Sequence, residues 1–250
     1  MSGPNRPLMH SSDAMEILLW HPPSTRARGP KRSLTLAQIA ATTVQIADAE
    51  GLRAVSMQRV AAALDVTKMA LYRYVPGKDA LLAIAVEEAV EEAPGEAEVP
   101  PGWRPGLDAW ARQLRAVWQR HPWLPSATMG DRTMGPREVA WIECALGILA
   151  DTGLSAAERL DAVLVFCGHV RNSSASDAAG TQPWTVTSTH ATVLQLQMQK
   201  RGDAYPHLLG TLADVRDPAH PAATNDRGWE LGLHLLLDGL QTAIKARPAT

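Results

Sequence analysis

The segment from Thr67 to Val75 carries residue types that could read DNA. On a helix of about 100° per residue, its cations, phenol and methionine share one face and its aliphatic side chains share the other. The first face holds Lys68, Met69, Tyr72 and Arg73. In a DNA groove, cations and hydroxyls contact phosphates, whereas short or apolar groups meet base edges and thymine methyls. The pattern predicts a helix that lies in a major groove; a merely solvated charged face is the alternative.

Further groups flank this helix at positions suited to phosphate contact. Ser56 and Arg59 start the preceding helix, and Lys78 starts the following one, where free N–H groups and the helix dipole favour an anion. A basic arm from Arg26 to Arg32 is placed to reach into a minor groove. The predicted DNA-contacting residues are Arg28, Lys31, Arg32, Ser56, Arg59, Thr67, Lys68, Met69, Tyr72, Arg73, Tyr74 and Lys78.

The charge of the chain is unevenly distributed. Over 250 residues, 24 basic and 26 acidic groups give a net charge of −2, which by itself argues against a nucleic-acid partner. Residues 26–86, however, hold nine basic groups against four acidic ones, so this segment is +5 and the remainder is −7. A basic quarter joined to an acidic body indicates two tasks on one chain; a chance fluctuation of solvated surface charge is the alternative.

Three short helices are expected to position the DNA-reading face. The first starts at a cap, Ser33 or Thr35, and stops at Gly51; the second is capped by Ser56. The third is capped by Thr67 and runs to about Val75. Two helices joined by a tight turn, behind a first supporting helix, are typical of a helix-turn-helix.

The order of residues from Leu52 to Val75 resembles the DNA-binding domain of TetR-family transcriptional regulators. The most specific part is the run Leu-Tyr-Arg-Tyr-Val that ends at Val75, with Gly-Lys-Asp following at 77–79. The order His-Pro-Trp-Leu at 121–124, and Gly-Pro at 135–136, resemble the tetracycline-repressor type of C-terminal domain. The resemblance covers roughly residues 34–90 strongly, and residues 1–25 have no counterpart in it.

One position departs from the family pattern. The turn between the second and third helices usually carries glycine where this chain has Asp65. If that position needs a positive φ, aspartate is among the few other residues that tolerate it at modest cost. We therefore expect the turn to be retained.

The chain is expected to be all-α, in three parts. Residues 1–33 are predicted to be a flexible tail with the basic arm, 34–92 the DNA-binding domain, and 103–247 a larger helical body. No long apolar run, secretory signal or cysteine framework is present, so we expect a cytoplasmic protein without a membrane partner. No catalytic motif or metal-ligand pattern is found, and we expect no enzyme, no cofactor and no metal.

The body offers several apolar faces. Inward faces are predicted at Leu107, Trp110, Leu114, Val117 and Trp118, then at Val139, Ile142, Leu146 and Leu149, and then at Leu160, Val163, Leu164 and Cys167. Residues beside these inward faces could border a ligand cavity between helices, although core packing is the alternative for the tryptophans and for His169. The candidate ligand residues are Trp110, Trp141, Cys144, Phe166, His169, Val170 and Ser173.

The last helix is apolar on two sides, because Leu231 and Leu235 lie almost opposite Trp229 and Leu233. The resemblance implies a homodimer built from late helices, a palindromic operator in double-stranded DNA and a small-molecule effector. The leading hypothesis is therefore a repressor released by a small, apolar ligand. The alternative is a ligand-independent DNA-binding protein whose body only dimerises.

Overall fold

The computed structural model describes residues 11–21, 34–179, 196–198, 200, 204–216 and 225–246. All regular elements in these ranges are helices, which confirms the all-α class. They are α1 (Ser11–Trp20), α2 (Leu36–Glu50), α3 (Met57–Ala63), α4 (Lys68–Tyr72), α5 (Lys78–Ala89), α6 (Trp103–Arg120), α7 (Leu124–Ala127), α8 (Pro136–Ile148), α9 (Ala156–Ala179), α10 (Pro206–Arg216) and α11 (Asn225–Lys245), with a short 3₁₀ turn at Glu96–Glu98. No helix among the described residues is long and apolar enough to cross a membrane.

The chain divides into two compact units, an N-terminal unit (Met1–Asp151) and a C-terminal unit (Thr152–Thr250). The N-terminal unit contains helices α2–α5, called the head below, together with α6–α8. The C-terminal unit contains α9 and α11, which pack against each other. The packing division thus falls later than the predicted start of the body at residue 103, and the functional domain boundaries stay a prediction.

Local capping defines the ends of the head helices. Thr35, one of the two expected caps, forms a capping box with Gln38, and Gly51 ends α2 with a φ of 79°. Asp65, in the turn after α3, has a φ of 54°, so the aspartate adopts the left-handed conformation that the sequence allowed for. Helix α4, the third helix of the head, ends at Tyr72, three residues before the predicted end.

The expectation of a flexible tail is wrong for residues 11–20, which form α1. Leu18 and Leu19 are buried in its packing on α5, and the Trp20 Nε1 donates to the carbonyl oxygen of Met134 at 3.0 Å. The run Met15–Trp20 gave the only sequence signal, an apolar turn without an evident partner. Its partner is α5, some sixty positions later, which local periodicity cannot reveal.

The prediction for α6 is confirmed, but that for α8 is off by about one position. All five expected α6 residues are buried. In α8 the buried face consists of Glu138, Trp141 and Ala145; of the expected residues, Leu149 at the end of the helix is buried and Val139 is exposed. Trp141 turns inward because its Nε1 donates to the carbonyl oxygen of Val90 at 3.0 Å. The buried Glu138 carboxylate is stabilised by its ion pair with the Arg132 guanidinium.

The expected inward face of α9 is also rotated. Val163 is buried, but Leu160 and Leu164 are exposed, and Phe166 and Val170 complete the buried side. The sequence predicts Phe166 and Val170 beside the inward face of this helix, as candidate ligand residues. The apolar residues of α9 therefore occupy two faces, as those of α11 do.

Candidate nucleic-acid interface

The start of each helix in the helix-turn-helix is built by a hydroxyl side chain. The Ser56 Oγ accepts the backbone N–H of Arg59 at 3.1 Å, and the Thr67 Oγ1 accepts that of Ala70 at 3.1 Å. Each hydroxyl retains its own hydrogen as a donor, which suits contact with a phosphate oxygen. Both caps are thus positioned to hold their helix and to contact the DNA backbone.

The exposed face of α4 is the one that the sequence predicts. Leu71 and Val75 are fully buried, whereas Met69 is 74% exposed and Tyr72 41% exposed. The Lys68 Nζ lies 5.6 Å from the centre of the Tyr72 ring, a cation–π distance that holds both groups on one side. Arg73 is exposed as well, and Tyr74 is half-buried. The arrangement exposes two cations, a phenol and a thioether on one face of α4.

Arg59 does not project freely. Its Nη2 lies 2.6 Å from Glu50 Oε1, which connects α3 to the end of α2. The hydrogen bond that Arg59 donates to Glu50, and the negative charge of Glu50, raise the pKa of Arg59 above the ordinary value, so this side chain remains a cation. Sequence reasoning assigned Arg59 to a phosphate and missed Glu50, because the two are nine residues apart on different helices.

Lys78 lies at the start of α5, where Gly77 offers no side-chain cap. Its side chain is exposed, at the end where the helix dipole favours an anion. Arg28, Lys31 and Arg32 lie outside the described residues. The structure thus brings the predicted contacts from Ser56 to Lys78 onto the head, and the contacts themselves stay a prediction.

Two sets of polar contacts connect the head with α6–α8. Asp48, on α2, contacts His121 and Trp123 at the corner between α6 and α7. Glu87, on α5, accepts the backbone N–H groups of Arg137 (3.0 Å) and Glu138 (3.2 Å) at the start of α8. Burial raises the pKa of Glu87, and the two backbone N–H bonds oppose this rise. The sequence motif at 121–124 includes His121 and Trp123, but no local signal indicates that Asp48 is their partner.

Gly135 permits the approach of Glu87. A Cβ on Gly135 would lie 2.2 Å from the Glu87 side chain, closer than any real contact. Next to it, the Arg137 guanidinium binds Glu92 (2.9 Å) and Glu88 (3.1 Å). Burial by itself would lower the pKa of Arg137, but these two hydrogen bonds raise it overall. The start of α8 is therefore fixed to α5 by charge and by close backbone packing.

The candidate ligand residues occupy two separate places. Trp110 and Trp141 pack edge to face in the N-terminal unit with ring centres 6.3 Å apart, and the Trp110 Nε1 donates to the Trp141 carbonyl oxygen at 2.9 Å. This is the core-packing alternative that the sequence left open. Cys144 is half-buried on the same helix, with its Sγ 3.7 Å from the carbonyl oxygen of Pro94.

The other candidate ligand residues lie on α9, on or beside the side that faces α11. Phe166 and Val170 are buried, and Ser173 is half-buried. The His169 ring stacks on Trp229 at 4.6 Å and 6°, and its Nε2 donates to the Trp229 carbonyl oxygen at 3.0 Å. A packed, hydrogen-bonded histidine was the alternative to a ligand role, and this geometry agrees with it.

One groove of about 410 Å³ lies elsewhere, between α1, α2, α5 and the start of α8. Its apolar wall includes Leu18, Leu19, Leu36 and Ile84, and its rim includes Glu88 and Arg137. None of the candidate ligand residues lines it. Sequence reasoning missed this groove because α1 forms part of its wall.

A capped helix-turn-helix with an exposed basic face, attached to a helical body, defines the class of helix-turn-helix transcriptional regulators. Residues 35–84 match the model described as "Bacterial regulatory proteins, tetR family", and residues 97–244 match "Tetracyclin repressor-like, C-terminal domain". The chain belongs to the TetR family of transcriptional regulators. This membership implies a regulator rather than an enzyme.

Two curated regulators and several solved structures are similar to this chain. The chain is 34% identical over 238 residues to the HTH-type transcriptional repressor DrrR1 of Streptomyces coeruleorubidus, covering 92% of this chain and 86% of that one. It is 28% identical over 202 residues to an HTH-type transcriptional regulator of Saccharopolyspora erythraea, covering 80% and 84%. The TetR family protein ActR of Streptomyces coelicolor, in complex with (S)-DNPA, has a TM-score of 0.70 at 24% identity, covering 85% of this chain and 99% of ActR. At 24% identity, the likeness to ActR establishes the fold of this chain alone.

Proposed function

We propose that this chain is a repressor that binds a palindromic operator as a homodimer and is released by a small molecule. The observation that carries the proposal is the α4 face, where Lys68 and Tyr72 are held together in solvent while Leu71 and Val75 anchor the helix. Such a face has the side chains that a major groove accepts. The repressor DrrR1, to which the chain is similar over most of its length, supports repression rather than activation.

The proposed dimer rests on apolar side chains that the C-terminal unit leaves exposed. Leu160, Leu164 and Val165 of α9, and Leu231 and Leu235 of α11, are all more than 40% exposed. Exposed aliphatic side chains on two packed helices indicate an interaction surface, and in a two-fold dimer the same patch would serve both copies. Two heads would then meet two half-sites one or more helical turns apart.

The proposed effector is an apolar small molecule. Two structures of ActR carry small molecules in their names, (S)-DNPA and actinorhodin, and this chain shares their fold. The residues that we propose for effector contact form two separate groups, Trp110, Trp141 and Cys144 in the N-terminal unit and Phe166, His169, Val170 and Ser173 on α9. The alternative, a body that only dimerises, is favoured by the closed packing of the two tryptophans and by the hydrogen-bonded His169.

The first test is DNA binding by a variant of the exposed face. DNA selected from a random pool by the full-length protein provides the operator for a gel-shift assay. Replacing Lys68 and Tyr72 with Ala should abolish binding without unfolding the dimer, because both groups are exposed. The matched control replaces Lys245 and Tyr205, an exposed lysine and tyrosine of the C-terminal unit, and should bind like the parent. Intact binding by the Lys68/Tyr72 variant would refute the α4 assignment.

The second test separates the two functions proposed for the body. Thermal-shift screening of apolar compounds should find molecules that raise the melting temperature and also release the selected DNA. If compounds that bind leave the DNA complex intact, or if none binds, the ligand-independent alternative is favoured.

A further inference from the structure

Asp48 connects the head to the body at a single carboxylate oxygen. The Trp123 Nε1 donates to Asp48 Oδ1 at 2.6 Å, and His121 Nδ1 lies 2.9 Å from the same atom. Because a carboxylate without a proton only accepts, Nδ1 is the nitrogen that carries the imidazole hydrogen in this contact. The contacts span 73 and 75 residues and join α2 to the corner between α6 and α7.

This contact differs from an ordinary surface pair in the burial of its donors. Trp123 is only 6% exposed and the His121 side chain 14%, whereas Asp48 is 33% exposed. A buried indole N–H that loses its acceptor retains a desolvation penalty, and hydrogen bonds to charged acceptors are stronger than neutral ones. The His121 and Trp123 rings are 6.0 Å apart, so they present both donors to α2 as one surface.

The same end of α2 also holds the DNA-reading helices. Two residues after Asp48, Glu50 binds the Arg59 guanidinium at 2.6 Å and thereby secures α3. A short turn joins α3 to α4, and the two helices pack against each other. A displacement of the α6–α7 corner would therefore reach α4 through Asp48, the last turn of α2, and α3.

We propose that Asp48 is a positioning residue for operator binding, which fixes the head at the α6–α7 corner through Trp123 and His121. The proposal rests on the operator-binding function proposed above. A dimer that binds two half-sites needs both heads at a defined separation, and a head freed from its corner must lose orientational freedom on binding. Asp48 does this without contacting the DNA.

The test compares two buried tryptophans within the N-terminal unit. Trp123→Phe removes the N–H that binds Asp48, and Trp118→Phe makes the same truncation at a tryptophan of α6 that is equally buried, at 6% exposed. Both variants lose a similar volume from the interior, but only the first removes the hydrogen bond to Asp48. On DNA selected by the parent protein, we expect Trp123→Phe to bind about tenfold more weakly and Trp118→Phe to bind within about twofold of the parent.

A double-mutant cycle tests whether Asp48 acts through Trp123. Asp48→Ala should weaken binding about as much as Trp123→Phe, and the double variant should be no weaker than Asp48→Ala alone. Asp48→Asn should be intermediate, because its amide oxygen still accepts the indole N–H. The salt dependence of binding should keep its slope in Trp123→Phe, since no phosphate contact is lost, whereas Lys68→Ala should lower it by about one unit.

Several results would overturn the proposal. Parent-like binding by Trp123→Phe would do so, and it does not depend on whether Asp48→Ala folds. Equal weakening by Trp118→Phe would show general destabilisation, and multiplying effects in the double variant would show that Asp48 and Trp123 act separately. If the parent protein itself selects no DNA from the pool, the operator-binding function fails and this proposal fails with it.

Discussion

Exposed apolar side chains occur in both units, but the side chains that surround them differ. In the head, Met69 and Tyr72 lie among Lys68 and Arg73 on one short helix. In the C-terminal unit, Leu160 and Leu164 form an aliphatic stripe along α9, and a second stripe follows α11. A mixed cationic and aromatic face suits a charged, hydrated partner such as DNA, whereas an aliphatic stripe suits another protein surface.

Each unit also contains contacts that join helices distant in the chain. The N-terminal unit uses charged contacts between distant elements, such as Asp48 with Trp123 and Glu87 with the start of α8. In the C-terminal unit, α9 and α11 meet at the stacked rings of His169 and Trp229. We infer that the first arrangement fixes orientation for DNA and the second supports an interface.

The largest effect is expected from charging the stripe on α11. Leu231 and Leu235 are 61% and 62% exposed, and replacing both with Glu would place charges in the proposed interface. The variant should be a monomer by light scattering and bind the operator about 100-fold more weakly or worse, because avidity is lost.

The matched control is Met129→Glu, which charges an apolar side chain that is equally exposed at 61% in the N-terminal unit. We expect this variant to keep the dimeric mass of the parent in light scattering and the parent's affinity for the operator. If the variant with Glu at Leu231 and Leu235 stayed a dimer, the exposed leucines of α11 would not form the interface, and the proposed contrast with the α4 face would fail.

Intermediate effects are expected from adding a methyl group at the two close approaches. A Cβ at Gly232 would lie 2.2 Å from the His169 ring, and one at Gly135 would lie 2.2 Å from Glu87. Each alanine variant should lose about 1–3 kcal/mol of unfolding free energy, measured by denaturant titration, because a ring stack or a helix-end hydrogen bond must shift.

Gly147→Ala and Gly210→Ala are the controls, since each site is helical and has open space around its Cβ. These controls should be neutral or more stable by up to about 1 kcal/mol, in line with helix propensity. Gly135→Ala with parent-like stability would mean that Glu87 can move away without loss, so the contact would not hold α8.

The smallest effect concerns the two thiols, one in each unit. Burial raises the pKa of Cys167 to about 11 and raises that of Cys144 above its ordinary value. At pH 8 only about one Cys167 in a thousand is a thiolate, so modification by a thiol reagent should be slow. Its rate should rise about tenfold per pH unit between pH 8 and 10, while the fold is intact. Fast modification of Cys167 at pH 7, identified by mass spectrometry, would contradict the closed packing of α9.

Much of the head could be predicted because its signals are local. Thr35, Ser56 and Thr67 cap helices through bonds to residues three positions on, and Asp65 takes the backbone conformation that its turn requires. The α4 face follows from helical periodicity alone, and Leu71 and Val75 are buried as that period requires.

The body was harder to predict, because an apolar period does not say which side faces a partner. The stripe of Leu160 and Leu164 fits a helix core by spacing, yet it is exposed. On α8 the inward face follows Trp141, whose size and hydrogen bond to Val90 outweigh the more regular line through Val139. Amphipathic spacing predicted the helices, and long-range packing chose their orientation.

The helices of the head, their caps, the left-handed turn at Asp65 and the exposed basic face follow from local sequence signals. These depend on interactions within a few residues, which side-chain chemistry specifies directly. The packing of α1 on α5, the approach of Glu87 to Gly135 and the contact of Asp48 with the α6–α7 corner are visible only in the folded chain. These partners are some 50 to 75 residues apart, and their meeting depends on how whole helices pack, which no local pattern encodes.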